Sequence, residues 1–245
     1  MTADATIPTA PPPPEAAQPA PASPTAAQAV AAAVRRHSIN PFATPVLVYP
    51  WPDSERLNAE LKAVILEAER RQPGVVRSNV GGWHSDLGIF GWDAPGIREL
   101  QERVRLVAVE MTKRLVPKPN ARFRAAYRLD GWANVVRPGD YHLAHNHPGN
   151  VWSGVYYVAA GEAEPGRPYN GQLELLDPRA GANMLGPPDG AFDLRYTINS
   201  VAGLMVVFPA WLRHYVHPFF GAGERISVAF NVAISDFRYL DAKES

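Results

Sequence analysis

Arg225-Ile226-Ser227-Val228-Ala229-Phe230-Asn231 is the stretch on which the reading of this 245-residue chain turns. Successive side chains of an extended strand point to opposite faces, so Ile226, Val228 and Phe230 share one face and Arg225 and Ser227 the other. A guanidinium and a hydroxyl two residues apart on one face form a receptor for one carboxylate. The guanidinium binds it bidentately and the hydroxyl adds a third hydrogen bond. Taken alone, such an Arg reads as a surface residue on an edge strand. What changes that reading is His214, eleven residues upstream.

Further upstream stands a second feature, His145-Asn146-His147, just after a turn signal at Arg137-Pro138-Gly139-Asp140. Residues at i and i+2 of an extended chain share a face. Two imidazoles on one face, joined by His214 from another strand, suffice to hold a first-row transition metal and leave coordination positions open. A lone His is ordinarily a surface or satisfied polar residue; a His-x-His pair with a distal partner is a stronger signal. His142, three residues before His145, points to the opposite face of a regular strand and is set aside. His217, before Pro218, belongs to the loop after the ligand strand. Three His and a water also suit zinc. No Glu stands near the pair as a general base, unlike the His-Glu-x-x-His pattern, which weakens a zinc hydrolase.

Around these residues the chain reads as β after Pro119. Phe123–Leu129, Trp132–Arg137, Tyr141–Asn146, Trp152–Val158, Gln172–Leu176, Gly203–Phe208 and Arg225–Ile234 are β-prone runs separated by Gly and Pro turns, as in a sandwich or barrel. Before them, Pro45–Pro50 reads as a short strand. Asp53 and Ser54 offer an N-cap to a helix with Leu57, Leu61, Ile65 and Ala68 at helical spacing, ended by Pro73-Gly74. A second helix runs from Ala94-Pro95 to Pro117 through Ile97, Leu100, Val104, Val107, Met111 and Leu115. The order predicts an α+β domain with the two helices buttressing one sheet. Ser78–Asp86, rich in Gly and polar residues, reads as an irregular loop that contacts ligand.

Composition sets the outer bounds. Lys plus Arg and Asp plus Glu are 24 each, so no global charge favours nucleic acid or membrane. The absence of cysteine removes disulfides, thiolate ligands, iron–sulfur clusters and cysteine nucleophiles. No apolar run approaches the ~20 residues that span a bilayer. Residues 1–38 read as a disordered Ala/Pro-rich tail, with a frayed helix around Ala26–Val34, ahead of a domain at 39–245. The tail lacks a basic segment and a Leu-rich core, so no signal peptide is expected and the reading is cytoplasmic.

Taken together, these residues resemble the Fe(II)/2-oxoglutarate-dependent dioxygenases. The resemblance is closest to the 2-oxoglutarate–Fe(II) oxygenase family and covers roughly residues 42–235. It rests on the Ser78–Asp86 loop, Trp132-Ala133-Asn134-Val135, His145-Asn146-His147-Pro148, Ser153-Gly154-Val155-Tyr156-Tyr157, Asp177-Pro178-Arg179, and Phe208-Pro209-Ala210-Trp211-Leu212-Arg213-His214. It implies a double-stranded β-helix (jelly roll), Fe(II) as metal, and 2-oxoglutarate and O2 as co-substrates. His145 and His214 correspond to the first and distal iron ligands. Arg225 corresponds to the grip on the remote carboxylate of 2-oxoglutarate, assisted by Ser227; Asn134 or Tyr157 would meet the other end. His147 departs from the wider pattern, which has Asp or Glu there; either it ligates the metal or water or another anion fills that position. Trp83, His84, Trp132 and Trp152 are candidate walls of a substrate pocket. Arg179 reads as a turn residue or a substrate anchor. The alternatives are a three-histidine cupin-type dioxygenase without 2-oxoglutarate and a non-enzymatic jelly-roll binding module.

Overall fold

The computed structural model describes residues 25–38, 42–116, 122–180 and 195–240. Helix α1 (Ala26–His37) falls in a unit separate from the one that begins at Thr44. A capping box starts it, Thr25 accepting from the Gln28 amide while the Gln28 side chain accepts from the Thr25 amide. It runs three residues beyond the frayed helix expected around Ala26–Val34. The rest of that predicted tail, residues 1–24, lies outside the described residues, as does Pro117.

In the main unit β1 (Leu47–Pro50) is followed by α2 (Glu55–Arg71), β2 (Asn79–Val80), β3 (Trp83–His84), a 3-10 turn at Ile89–Gly91 and α3 (Pro95–Leu115). The β-rich remainder comprises β4 (Phe123–Val136), β5 (Tyr141–His145), β6 (Trp152–Ala159), β7 (Glu162–Ala163), β8 (Leu173–Leu176), β9 (Arg195–Ile198), β10 (Leu204–Pro209), β11 (His214–Val216), β12 (Gly221–Ala222) and β13 (Arg225–Tyr239). Two antiparallel sheets carry them, ordered β1-β10-β6-β13-β4-β3 and β2-β5-β11-β8-β9, with β12 and β7 forming a small pair. Successive strands keep changing sheet: β4 to β5, β5 to β6, β9 to β10, β10 to β11.

The larger sheet is buried on both faces. Ile226, Val228, Phe230 and Val232 of β13 join Leu57, Leu61 and Ile65 of α2 and Ile97, Leu100 and Val104 of α3 in one apolar cluster. Two hydrogen bonds pin these helices to β6: Tyr156 OH donates to Asn58 Oδ1 at 2.8 Å, and Trp152 Nε1 to Thr112 Oγ1 at 3.1 Å. On the other face Tyr157, Val206 and Phe208 meet Leu173, Leu175 and Ile198 of the smaller sheet. Gly154 is required at the centre of β6, because a Cβ there would lie 2.5 Å from Phe230 Cζ and 2.6 Å from the Val206 carbonyl oxygen.

Three local expectations need correction. The two runs read as separate strands across Asp130-Gly131 are one strand, β4; Gly131 leaves room for the Phe90 ring, whose Cε2 would be 2.6 Å from a Cβ. The loop Ser78–Asp86 contains β2 and β3, which join different sheets, the chain turning between them at Gly81 and Gly82 with φ of 69° and 63°. Ser54 holds the N-cap position of α2, but its side chain makes no capping bond.

Candidate metal centre

The backbone places the histidines before any side chain is considered. β5 and β11 pair antiparallel with His145, the last residue of β5, directly opposite His214, the first of β11. His147 follows two residues beyond β5, and its backbone amide donates to the Ala210 carbonyl at 2.9 Å. The three rings converge, with centroids 5.0 Å (His145–His147), 4.3 Å (His145–His214) and 5.1 Å (His147–His214) apart. One ligand atom from each lies within 4.8 Å of the other two.

Their other ring nitrogens are held from behind. Nδ1–H of His145 donates to the Leu143 carbonyl at 2.6 Å, and that of His214 to the Leu212 carbonyl at 3.0 Å, which leaves each Nε2 lone pair for a ligand. Nδ1 of His147 faces the Asn231 amide at 3.4 Å, while Asn231 Oδ1 is buried without a partner among the described residues. A half-turn of that amide would bring Oδ1 onto Nδ1–H and complete the same pattern. The Trp132 and Phe208 rings lie against His147 and His214, at 5.5 and 4.8 Å. Burial holds all three imidazoles below their usual range, His147 down to about 4 and His214 to about 3. They are neutral at physiological pH, the form that binds metal.

The larger sheet supplies the facing wall in rows. Ser227 of β13 lies between Asn134 of β4 and Tyr157 of β6, a polar row across three strands. The alternation in β13 puts Arg225, Ser227 and Ala229 into this cavity. Arg225 is fully enclosed, and burial lowers its pKa, yet an arginine stays charged. Its Nε donates to Ser200 Oγ at 2.9 Å and its guanidinium carbon sits 5.0 Å from the Tyr157 ring centroid. Among the described residues no carboxylate pairs with it, and none lines the cavity. A buried unpaired cation is costly, so a cavity built around one is suited to an anion. Among the described residues Asn134 Oδ1 is also buried without a partner, while the buried Tyr157 hydroxyl lies against the Arg225 side chain.

Of the four candidate wall residues, Trp132 lines the cavity and His84 stacks behind it at 5.6 Å and 10°. Trp83 and Trp152 belong instead to the apolar cluster under the helices, with Trp83 Nε1 donating to the Gln72 carbonyl at 2.9 Å. Arg179 pairs with Asp177 on the surface. His217 lies beyond β11, hydrogen-bonded to Glu174 at 2.6 Å. Three polar residues beside the histidine cluster were not among the site residues read from the sequence. Asn231 was available from the period-two pattern of β13, one step beyond Ala229. Ser78, whose hydroxyl is 3.4 Å from His145 Nε2, carried no signal beyond its loop. His142 was assigned to the wrong face. Between Val216 and His214 the β5/β11 register slips, three residues on β5 matching two on β11, and this bulge turns His142 to the same side as His145.

Fold and site together define a class: an antiparallel β-sandwich with a buried three-imidazole centre and a buried guanidinium in one cavity. Residues 130–231 match the model of a family described as "Putative 2OG-Fe(II) oxygenase". That family is one of oxidoreductases dependent on iron and 2-oxoglutarate, and this chain is similar to it over those residues. Solved structures with the same fold include a prolyl-4-hydroxylase from Pseudomonas putida, 18% identical with a TM-score of 0.51 over 78% of this chain and 93% of that one. Another is the non-heme alpha ketoglutarate dependent epimerase SnoN from nogalamycin biosynthesis, 13% identical with a TM-score of 0.56 over 88% and 86% of the two chains. A third is HygX from Streptomyces hygroscopicus with nickel and 2-oxoglutarate bound, 14% identical with a TM-score of 0.50 over 86% and 87%. No curated protein matches the sequence.

Proposed function

We propose that the protein is a hydroxylating dioxygenase that holds Fe(II) at His145, His147 and His214 and binds 2-oxoglutarate with its remote carboxylate on Arg225 and Ser227. In this reading residues 39–245 form one double-stranded β-helix domain, buttressed by α2 and α3, and the primary substrate enters beside Trp132. The observation that carries it is the pairing, in one cavity that no carboxylate lines among the described residues, of three converging neutral imidazoles and an enclosed guanidinium. The donor set fits the metal: three side-chain nitrogens, two of them oriented by backbone carbonyls, leave positions for a bidentate keto acid and oxygen. The guanidinium fits the co-substrate, whose second carboxylate would replace the missing counter-ion.

When bound, iron with 2-oxoglutarate supplies the oxidising power, drawn from O2, while the keto acid leaves as succinate and CO2. The chain's own residues orient and enclose. Arg225 and Ser227 fix one end of the keto acid; Asn134 and Tyr157, beside Ser227 in the same row, meet its other polar groups. Phe208, Leu173 and Val155 wall the cavity against water, which keeps the charged contacts strong and the oxidation directed at substrate.

A three-histidine dioxygenase that does not use 2-oxoglutarate is the second reading, favoured by His147 standing where a carboxylate is usual. It leaves Arg225 with no anion to bind. The two readings part on an assay of succinate formed from 2-oxoglutarate by protein loaded with Fe(II) and then exposed to oxygen. Slow succinate formation in wild type, lost at least tenfold in His214→Ala and Arg225→Met proteins that remain folded, is expected. Fe(II) bound at one equivalent with no succinate formed by wild type, whatever the substrate offered, would favour the second reading.

A further inference from the structure

The bulge in β5 has a consequence for ligand binding. His142 is more than nine-tenths buried, lines the same cavity as His145, and has no hydrogen-bond partner among the described residues. It is not one of the three converging imidazoles. Its level in the cavity follows from the pairing. His145 lies opposite His214, whereas His142 lies opposite Val216, two residues further along β11. Val216 pairs in turn with Leu173, which packs in the inter-sheet cluster with Tyr157. Tyr157 is the residue whose ring lies against Arg225. His142 thus stands on the smaller sheet at the depth where the larger sheet presents Arg225, one step below the metal ligands.

We propose that His142 is a further anion-binding residue, its imidazole N–H donating to the remote carboxylate of the keto acid that Arg225 holds from the opposite sheet. The carboxylate would then be gripped from both walls of the sandwich. This rests on the reading of the cavity as a 2-oxoglutarate site. Burial, with Arg225 as the next contributor, pushes the His142 pKa down to about 3, so the ring is neutral and keeps one N–H to donate and no charge to repel Arg225. The ring lines the cavity with that N–H free of any partner among the described residues, so an anion bound there can accept from it.

The test is calorimetric titration of the anaerobic Fe(II)-loaded protein with two probes: 2-oxoglutarate, and 2-oxobutyrate, which has the same keto-acid head but no remote carboxylate. Bound iron is quantified alongside, and wild type, His142→Phe, His142→Gln and Arg225→Met are compared. The expected result is that His142→Phe weakens 2-oxoglutarate about tenfold, as for a lost hydrogen bond to a charged group. It leaves 2-oxobutyrate and iron content unchanged, and His142→Gln, which retains an N–H, recovers most of the loss. Equal weakening of both probes, loss of iron, or no change in either probe would overturn the role assigned to His142. The underlying reading fails separately, if wild type does not prefer 2-oxoglutarate over 2-oxobutyrate or Arg225→Met keeps that preference.

Discussion

Four imidazoles held neutral in one cavity give the protein a definite response to acid. His142, His145, His147 and His214 all have pKa values depressed by burial, three of them to about 3, 4 and 3. In the unfolded chain the same rings titrate near the ordinary imidazole value of 6.5. Below that value the unfolded state binds protons that the folded state refuses, so stability is full above about pH 6.5 and falls as pH drops toward the folded values. Urea unfolding of the metal-free protein is expected to show a lower midpoint at pH 5 than at pH 7; an unchanged midpoint would contradict the depressed values. The depressed carboxylates Glu67, Glu99 and Asp177 start from 4.5, 4.5 and 3.8, so they contribute little in that window. At this scale the sequence shows much. His145, His147 and His214 were legible because spacing and strand geometry determine where they point. His142 was not, because a β-bulge is a property of two strands together and leaves no mark on either alone.

Among the elements, β13 does the most. Its apolar face completes the cluster under α2 and α3, and its polar face carries Arg225 and Ser227 and, further along, Asn231. A strand buried on both faces at the centre of a sheet holds such residues more rigidly than a loop can. Its neighbour β6 must approach closely for this, which is the role of Gly154. Gly154→Ala is expected to destabilise the fold by about 1–3 kcal/mol through overpacking against Phe230 and the Val206 carbonyl. Urea denaturation reads this directly, and a cost under ~0.5 kcal/mol, the range of neutral surface changes, would show that the packing is looser than described. The alternation that reveals β13 is plain in the sequence, as are α2 and α3 with their apolar spacing. The continuity of β4 was hidden, since Asp130-Gly131 carries the composition of a turn; the glycine serves the Phe90 ring instead. The two-residue strands β2 and β3 are too short for periodicity to show.

Across the whole main unit, two sheets set their inner faces together so that one brings imidazoles and the other a guanidinium. Neither face alone makes a site. The α+β class and the β-rich remainder follow from residue patterns, but which strands pair across fifty or more residues is set by long-range contacts that composition does not record. The alternation of strands between the sheets is what delivers β5 and β11 opposite β13. Among the described residues, no helix is long and apolar enough to cross a membrane. The most direct test of the central claim is an anaerobic crystal structure with Fe(II) and 2-oxoglutarate. The account predicts one iron bonded to Nε2 of His145, His147 and His214, Asn231 Oδ1 turned onto His147 Nδ1, and the remote carboxylate on Arg225 and Ser227. Iron held without His147, or a keto acid whose remote carboxylate lies away from Arg225, would contradict it.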